Sequence, residues 1–319
     1  MDRSIYHIAD TKDRVALQVV SDYVEVLKAQ GIHEVALRKL ELTRKNLHEM
    51  EIKVEGGKMP EARIPELKAQ LGQDELTVKD ALAEIRRTMK ILLLDMGIVD
   101  KDSIQVVEPQ SPDGMGIFPE DKSLGWTTPA VKMAEAELAD AEWDIKIARA
   151  MYFPQLSFSV GYSNAYYYNL DKELRPLNPP FGDQLRSNGR TYFGLNLSIP
   201  ILDRGMRSTE LRKARIRRNM VANTLTKKRM EEEKGRSLAE IDYTKAREQL
   251  TVATESATYA DEALDYATIE YEGGRLSSYD YELAKDKRAE AHAALVKATY
   301  DHLLKSIVQR YYRTGVVLP

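Results

Sequence analysis

The sequence predicts a mainly α chain with a small β part: long antiparallel coiled-coil helical hairpins joined to a two-stranded β element. Three observations predict it. Prolines are confined: of 12, nine lie from Pro109 to Pro200, and none falls before Pro60 or between Pro200 and Pro319. Proline removes a backbone donor and clashes with the preceding turn, so long helices can run only at the two ends. Each end carries an apolar seam with a seven-residue repeat. The middle carries two segments that alternate with period two.

The N-terminal seam is Ala36, Leu40, Thr43, Leu47, Met50 and Val54. The C-terminal seam is Leu250, Ala253, Ala257, Ala260, Leu264, Ala267 and Tyr271. Steps of three and four residues mark a stripe that a partner helix covers. Alanine knobs in the second seam require that partner to come close. Each seam ends where a Glu-Gly-Gly mark begins, in "VEGGKMP" (54–60) and "YEGGRLS" (271–277). Glycine takes the left-handed backbone that ends a helix, so each mark predicts the tip of a hairpin. The helices that return are expected at about 61–96 and 278–314, the latter capped by Ser277 or Ser278. A helix over 204–272 would be roughly 100 Å long at about 1.5 Å per residue. Two matching marks after two matching seams indicate an internal duplication.

Residues 98–124 are rich in Pro, Gly and Asp and read as a connector. A helix over 128–151 follows, with Thr128 as cap and Pro129 in its first turn. Two strands come next. In the first, Leu156, Phe158, Val160 and Tyr162 alternate with Ser157, Ser159 and Gly161; in the second, Phe193, Leu195, Leu197 and Ile199 alternate with Gly194, Asn196 and Ser198. Segments of about ten alternating residues suit a tilted strand of a membrane barrel. Tyrosines 162, 166, 167, 168 and 192 gather near the strand ends, as interface girdles do. A soluble hairpin with one buried face would show the same alternation. Two strands alone have unpaired edges that lipid does not tolerate, so the membrane reading requires several copies to close a barrel. Residues 164–190 read as a polar loop.

Composition excludes other classes. The net charge is −3, which points to no nucleic acid, and the absence of cysteine removes disulfides, thiolate metal sites and thiol nucleophiles together. The five histidines show no ligand spacing, and no grouping of acid, base and nucleophile appears. No catalytic residue, metal site or cofactor is therefore expected. The ten Lys/Arg against one Glu in 204–229 lack interleaved aromatics and read as a solvated helix face, with lipid head groups as a secondary possibility for its first turns.

The order "YFPQLSFSVGYS", loop, "YFGLNLSIPILDRGMR", very long helix, "YEGGRLSSYDYELAKDKRAEA" resembles the second repeat of the TolC-like outer membrane efflux proteins. The residues that carry it are Pro154, Leu156, Pro200, Ile201, Asp203, Gly205, Tyr271, Gly274 and Asp280. The likeness covers 125–315, and more loosely 10–97. It implies a homotrimer whose strands form an outer-membrane barrel and whose helices continue as a periplasmic tube. It also implies that the hairpin tips face a periplasmic adaptor (membrane fusion) protein and an inner-membrane transporter. The domains would then be a partial first-repeat hairpin at 1–97, a linker at 98–124 and a second repeat at 125–319. The second repeat would contain a β-hairpin over 153–202 and a helical hairpin over 204–315. In that family the first repeat opens with its own helix and two strands. Here Met1 falls inside the matching long helix, so the chain reads as N-terminally truncated, without a signal peptide, and gives two strands per copy.

The resemblance assigns Tyr271 and Asp280 to the closed end of the tube as gate candidates, with Glu282 beside Leu283, where the family often has a second acid. The bland reading is an aromatic knob and a helix-start acid favoured by the macrodipole. Gly56, Gly57, Gly273, Gly274, Arg275 and Leu276 are the expected adaptor-contact tips. Leu156, Phe158, Val160, Phe193, Leu195 and Leu197 are expected to face outer-membrane lipid. The implied function is a passive exit duct for small molecules or proteins in a tripartite efflux or type I secretion system, in the outer membrane and periplasm of a Gram-negative cell. The alternative is a soluble, elongated coiled-coil scaffold or adaptor, distinguished by its independence of detergent.

Overall fold

A computed structural model of the chain describes residues 2–57, 60–99, 104–107, 126–170, 174 and 178–317. The elements in order are α1 (Asp2–Glu55), α2 (Arg63–Asp95), α3 (Pro129–Ala150), β1 (Gln155–Ser163), α4 (Phe181–Ser187), β2 (Arg190–Ser198), α5 (Met206–Glu272) and α6 (Ser278–Thr314). The helices thus begin and end within a few residues of where prolines, glycines and seams place them. α4 is the exception, since it lies in a segment whose prolines and polar residues read as loop. Most of the expected linker lies outside the described residues. Of the part that is described, Ile98, Ile104 and Val106 pack on a buried cluster of Val26, Met89, Leu92 and Leu93.

The chain divides into two units, one made of Met1–Ala134 with Thr226–Pro319, the other of Glu135–Leu225. In the first unit α1 and α2 form one antiparallel hairpin, and α5 and α6 form another. The seams point inward as their period requires: Ala36, Leu40, Thr43, Leu47 and Met50 are buried, as are Ala257, Leu264 and Tyr271. One core cluster joins α1 to α6 through Val20, Val24, Leu303, Ile307 and Tyr311. At the tips a second joins all four helices through Leu47, Met50, Leu67 and Tyr271, with Val54, Ile64, Leu276 and Tyr281 packed around it.

In the second unit, ion pairs from α3 to α5 (Glu142 to Arg218 at 3.2 Å, Asp144 to Arg217 at 3.6 Å) flank the buried Ala141 and Ala148. β1 and β2 pair antiparallel from Gln155 opposite Ser198 to Ser163 opposite Arg190. The segment between them is ordered around one side chain. Gln184, on α4, is buried, donates to the Tyr167 and Pro179 carbonyls and accepts from the Tyr167 amide. After β2, Asp203 accepts from the amides of Gly205 (3.1 Å) and Arg207 (2.8 Å) and so caps α5. The Arg207 amide and then its other backbone donors hold the Asp203 carboxyl below the usual range. Gly205 takes φ +79 in that turn, which accounts physically for an Asp-x-Gly at this point.

Candidate functional site

Two regions gather the candidate residues. The first is the face of the β-hairpin. The antiparallel register sets Leu156 opposite Leu197, Phe158 opposite Leu195 and Val160 opposite Phe193. All six therefore lie on one face as three cross-strand pairs, because side chains alternate along a strand. Each is between 58% and 72% exposed. The other face carries Ser157, Ser159, Gly161, Gly194 and Asn196, with Tyr192 lying against Gly161. A contiguous apolar face of this size with no cover is unusual on a water-soluble surface and marks an interaction with an apolar phase or partner. Among the described residues, no helix is long and apolar enough to cross a membrane.

The second region is the paired tips. Both Glu-Gly-Gly marks fold alike. Gly57 and Gly274 take φ +70 and +72, and each donates to the carbonyl three residues back, Val54 and Tyr271. The Arg275 amide bonds to the Glu270 carbonyl at 2.8 Å, which completes the helix-ending motif. Gly56, Gly57, Gly273 and Gly274 are exposed. Arg275 is exposed as well, but its guanidinium is held by Glu270 through two bonds of 2.8 Å. Leu276 turns inward onto the tip cluster.

The gate candidates occupy three different environments. Tyr271 is buried, stacked flat on Tyr281 with ring centroids 4.6 Å apart, and its hydroxyl lies 3.4 Å from that of Ser278. The ammonium of Lys53 lies over the Tyr271 ring (5.7 Å) and that of Lys285 over the Tyr281 ring (5.8 Å), a cation–ring–ring–cation stack drawn from α1, α5 and α6. Burial, only partly offset by a hydrogen bond to Thr268, pushes the Tyr281 hydroxyl up from its ordinary value. Asp280 is exposed and completes the N-cap of α6: its amide donates to Ser277 Oγ, and its carboxylate accepts from the same hydroxyl. Glu282 is half-buried and takes hydrogen bonds from Asn46 (2.7 Å) and Lys285 (2.9 Å).

Glu282 leads into a buried network that no single position in the sequence announces. Lys285 is only 2% exposed and donates to Thr43 (3.0 Å), and Thr43 donates to Asp74 (2.7 Å), itself 1% exposed. Asp74 also accepts from Gln70 and pairs with Lys39 (3.0 Å), which in turn reaches Asp286 (2.6 Å). Burial disfavours the Lys39 charge, yet the hydrogen bonds and charges of Asp286 and Asp74 outweigh it and hold its pKa above the usual lysine value. The network ties α1, α2 and α6 together, about one to two turns into α6 and about three turns from the tip ends of α1 and α2. A signal for it was present: Thr43 sits on a seam, Asp74 lies seven residues after Leu67, and Lys285 four after Tyr281. Polar residues on apolar stripes predict buried polar contacts. Beside this network, Tyr271, Tyr281, Asn46, Glu49, Asp265 and Glu272 help line a cleft of about 360 Å³. Among the described residues no cluster of His, Asp or Glu could hold a metal ion.

Comparison with known proteins adds the relationship. The family described as outer membrane efflux protein matches residues 127–307, more than half of the chain. Among solved structures, the CusC transmembrane channel is similar over 97% of this chain and 70% of its own, at 18% identity and a TM-score of 0.77. The CmeC outer membrane channel of Campylobacter jejuni is similar over 99% and 66%, at 17% identity and a TM-score of 0.76. The open state of the MtrE outer membrane channel of Neisseria gonorrhoeae is similar over 99% and 69%, at 15% identity and a TM-score of 0.75. No curated relative matches. At these identities the structures establish a shared fold.

Proposed function

The chain belongs to the outer membrane efflux protein family and is an efflux-channel subunit of the outer membrane and periplasm; from that premise we propose that it is one protomer of a homotrimeric, passive exit duct. The observation that carries the reading is the uncovered apolar face of Leu156, Phe158, Val160, Phe193, Leu195 and Leu197. That face belongs to a sheet in which each strand has one partner. In lipid the two free edges must be paired, so β1 and β2 take their other neighbours from outside this hairpin and the six side chains face acyl chains. Hydrophobic transfer at about 25 cal/mol per Å2 makes such a face stable in lipid and unfavourable in water.

In this reading the exposed glycines of both marks, with Arg275 and Leu276, meet a periplasmic adaptor, and an inner-membrane transporter supplies the energy. The system is a tripartite efflux or type I secretion assembly carrying small molecules or proteins. Residues 1–97 act as the first-repeat hairpin and 125–319 as the second repeat. Tyr271, Asp280 and Glu282 stand at the tip end of the duct. There Tyr271 and Glu282 act through the stack and the buried network, and Asp280 through the start of α6. The fold and the family are those of channels rather than enzymes, and the duct needs no chemistry of its own.

The test is reconstitution of the chain, with detergent, into planar bilayers. A trimer with ohmic conductance that needs no nucleotide supports the reading. A compact monomer that stays soluble without detergent and leaves the bilayer silent contradicts it and favours a scaffold.

A further inference from the structure

The end of the β-hairpin that joins the helices carries features that the six lipid-facing side chains leave unexplained. The apolar alternation of β2 runs on past the strand through Ile199 and Ile201. Ile201 and Leu202 are 87% and 94% exposed, the two highest values among the large apolar side chains described. Phe153, between α3 and β1, is exposed at the same end. Basic side chains collect there too. Of the basic run that begins at Arg204, Arg207, Arg217 and Arg218 are each held by an acid, Asp203, Asp144 and Glu142. Arg204 and Arg212 are not, nor is Arg149 in the last turn of α3. These three are exposed and make no ion pair or hydrogen bond within the chain among the described residues.

Arg204 is the sharpest of these features. It takes φ +56, and among the described residues no other non-glycine has a positive φ. A Cβ makes that backbone costly, whereas Gly205 beside it takes φ +79 without the penalty. A strained residue whose side chain bonds nothing in its own chain points to a role outside the chain. Acids are scarce at this level. Over 145–163 and 190–209 the one Asp or Glu is Asp203, and its carboxylate is taken by the amides of Gly205 and Arg207. The first amides of α5 are thereby occupied as well, which leaves the arginine side chains to meet an anion.

We infer that this collar binds the phosphodiester of an anionic glycerophospholipid in the leaflet on the side of the helices, with Arg204 on the phosphate, Arg149 and Arg212 beside it, and Ile201 and Leu202 among the acyl chains. A guanidinium matches a phosphate with two parallel N–H donors, and its aliphatic stem lies along apolar surface while the charge stays at the interface. The levels agree. Leu197 and Ile199 lie on the strand side, Ile201 and Leu202 at the edge of the hydrocarbon, and Arg204 two residues beyond. Arg212 stands about 9 Å into α5 at about 1.5 Å per residue, close to the Debye length of about 8–10 Å. Two observations favour lipid over a second copy as the occupant. The apolar part continues the face already read as lipid-facing, and another copy of this unit would bring the same arginines to the level and no free acid. The inference rests on the lipid-facing reading of the hairpin and adds which lipid the hairpin selects.

The experiment uses the whole chain in lipid nanodiscs. Because the chain lacks cysteine, Met206→Cys, exposed at the start of α5, can carry the one fluorophore. The nanodiscs are phosphatidylcholine with a minor share of lipid that bears a nitroxide near the headgroup end of one acyl chain. That lipid is phosphatidylglycerol in one arm and phosphatidylcholine in the other. The labelled phosphatidylglycerol should associate with the collar about tenfold or more better, as several basic side chains near an anionic surface imply. Arg149→Gln with Arg204→Gln and Arg212→Gln should bring the ratio to about one, with helical circular dichroism unchanged. Arg204→Gly separates charge from backbone: it should raise the Tm by relieving strain and still lower the preference about fivefold. Equal quenching by the two lipids in the wild-type background, or a preference that the triple variant keeps, overturns the site. Loss of the preference on adding inorganic phosphate at matched ionic strength would mean a site for the free ion and overturns the lipid assignment. No quenching at 206 while a label at 158 is quenched means that protein covers the collar, which overturns this inference and leaves the lipid-facing hairpin standing. No quenching at either position overturns both.

Discussion

The tips and the β-hairpin invert each other's use of side chains. At the tips, charges are inside: Lys285 and Asp74 are among the most buried residues of the chain. On the hairpin, large apolar side chains are outside, with Phe193 and Leu195 each 72% exposed. The difference teaches that each region is built for a different surrounding phase. A buried charge cluster is tolerated because every member finds a partner, and its energetic use is to fix how helices meet rather than to add net stability. An apolar face without cover fits contact with an apolar phase or partner rather than with water.

The sharpest way to break this contrast is at Lys285. Lys285→Met leaves Glu282 without its ammonium partner and Thr43 without its donor, so it should destabilise the tip helices by about 3–5 kcal/mol. Hydrogen exchange at α6 amides would show it, and an unchanged exchange rate would mean that the cluster is not a tie. The second perturbation is Leu195→Arg. On a lipid face it should weaken membrane insertion by about 2–4 kcal/mol and leave the melting of the helical unit alone; co-sedimentation with vesicles reads the first effect and circular dichroism the second. A hairpin whose apolar face is covered by protein would instead lose fold.

Smaller effects sharpen the tip side. Gly274→Ala forces a side chain into φ +72 and should cost about 1–2 kcal/mol, measured as a lower Tm. The smallest effect is acid-dependent. Asp261, on α5, reaches across to α6, with His292 at 2.9 Å and Arg288 also bonded to it. Burial works against its charge, but those two partners win and hold its pKa below the usual value. Its contribution to stability is therefore full above the unfolded pKa of about 3.9 and lost as pH falls through the lower folded value. The Tm gap between wild type and Asp261→Asn should be flat above about pH 5 and shrink below about pH 4. A gap that persists at pH 2 would show that the residue acts by shape.

The two regions also differ in how legible they were. The strands could be read directly, because alternation at 156–162 and 193–199 and the bilayer length are properties of local sequence. The seams could too, since Ala36 to Val54 and Leu250 to Tyr271 repeat over several turns. The buried network left only a faint mark in the sequence, Thr43 on an apolar seam and Asp74 and Lys285 at stripe spacing. Lys39, Asp74 and Lys285 sit in helices dense with charge, and only the meeting of three helices distinguishes them from solvated neighbours. α4 was hidden for a related reason. Its seven residues are too few to show a period, and it is held by Gln184 reaching back to Tyr167 rather than by its own propensity. The gate candidates show the limit of a motif. The family resemblance singles out Tyr271 and Asp280, but their packing as a stacked ring and a helix N-cap could be seen only in three dimensions.

The most direct test of the central claim is the surroundings of the two hairpin faces. Single cysteines placed along β1 and β2 of the cysteine-free chain can carry a fluorophore that brominated lipid quenches in vesicles. Labels at 156, 158, 160, 193, 195 and 197 should be quenched strongly, and labels at 157, 159, 194 and 196 weakly, alternating along each strand. Equal quenching at all positions, or quenching by a water-soluble agent at Phe158 and Leu195, would contradict a lipid-facing hairpin.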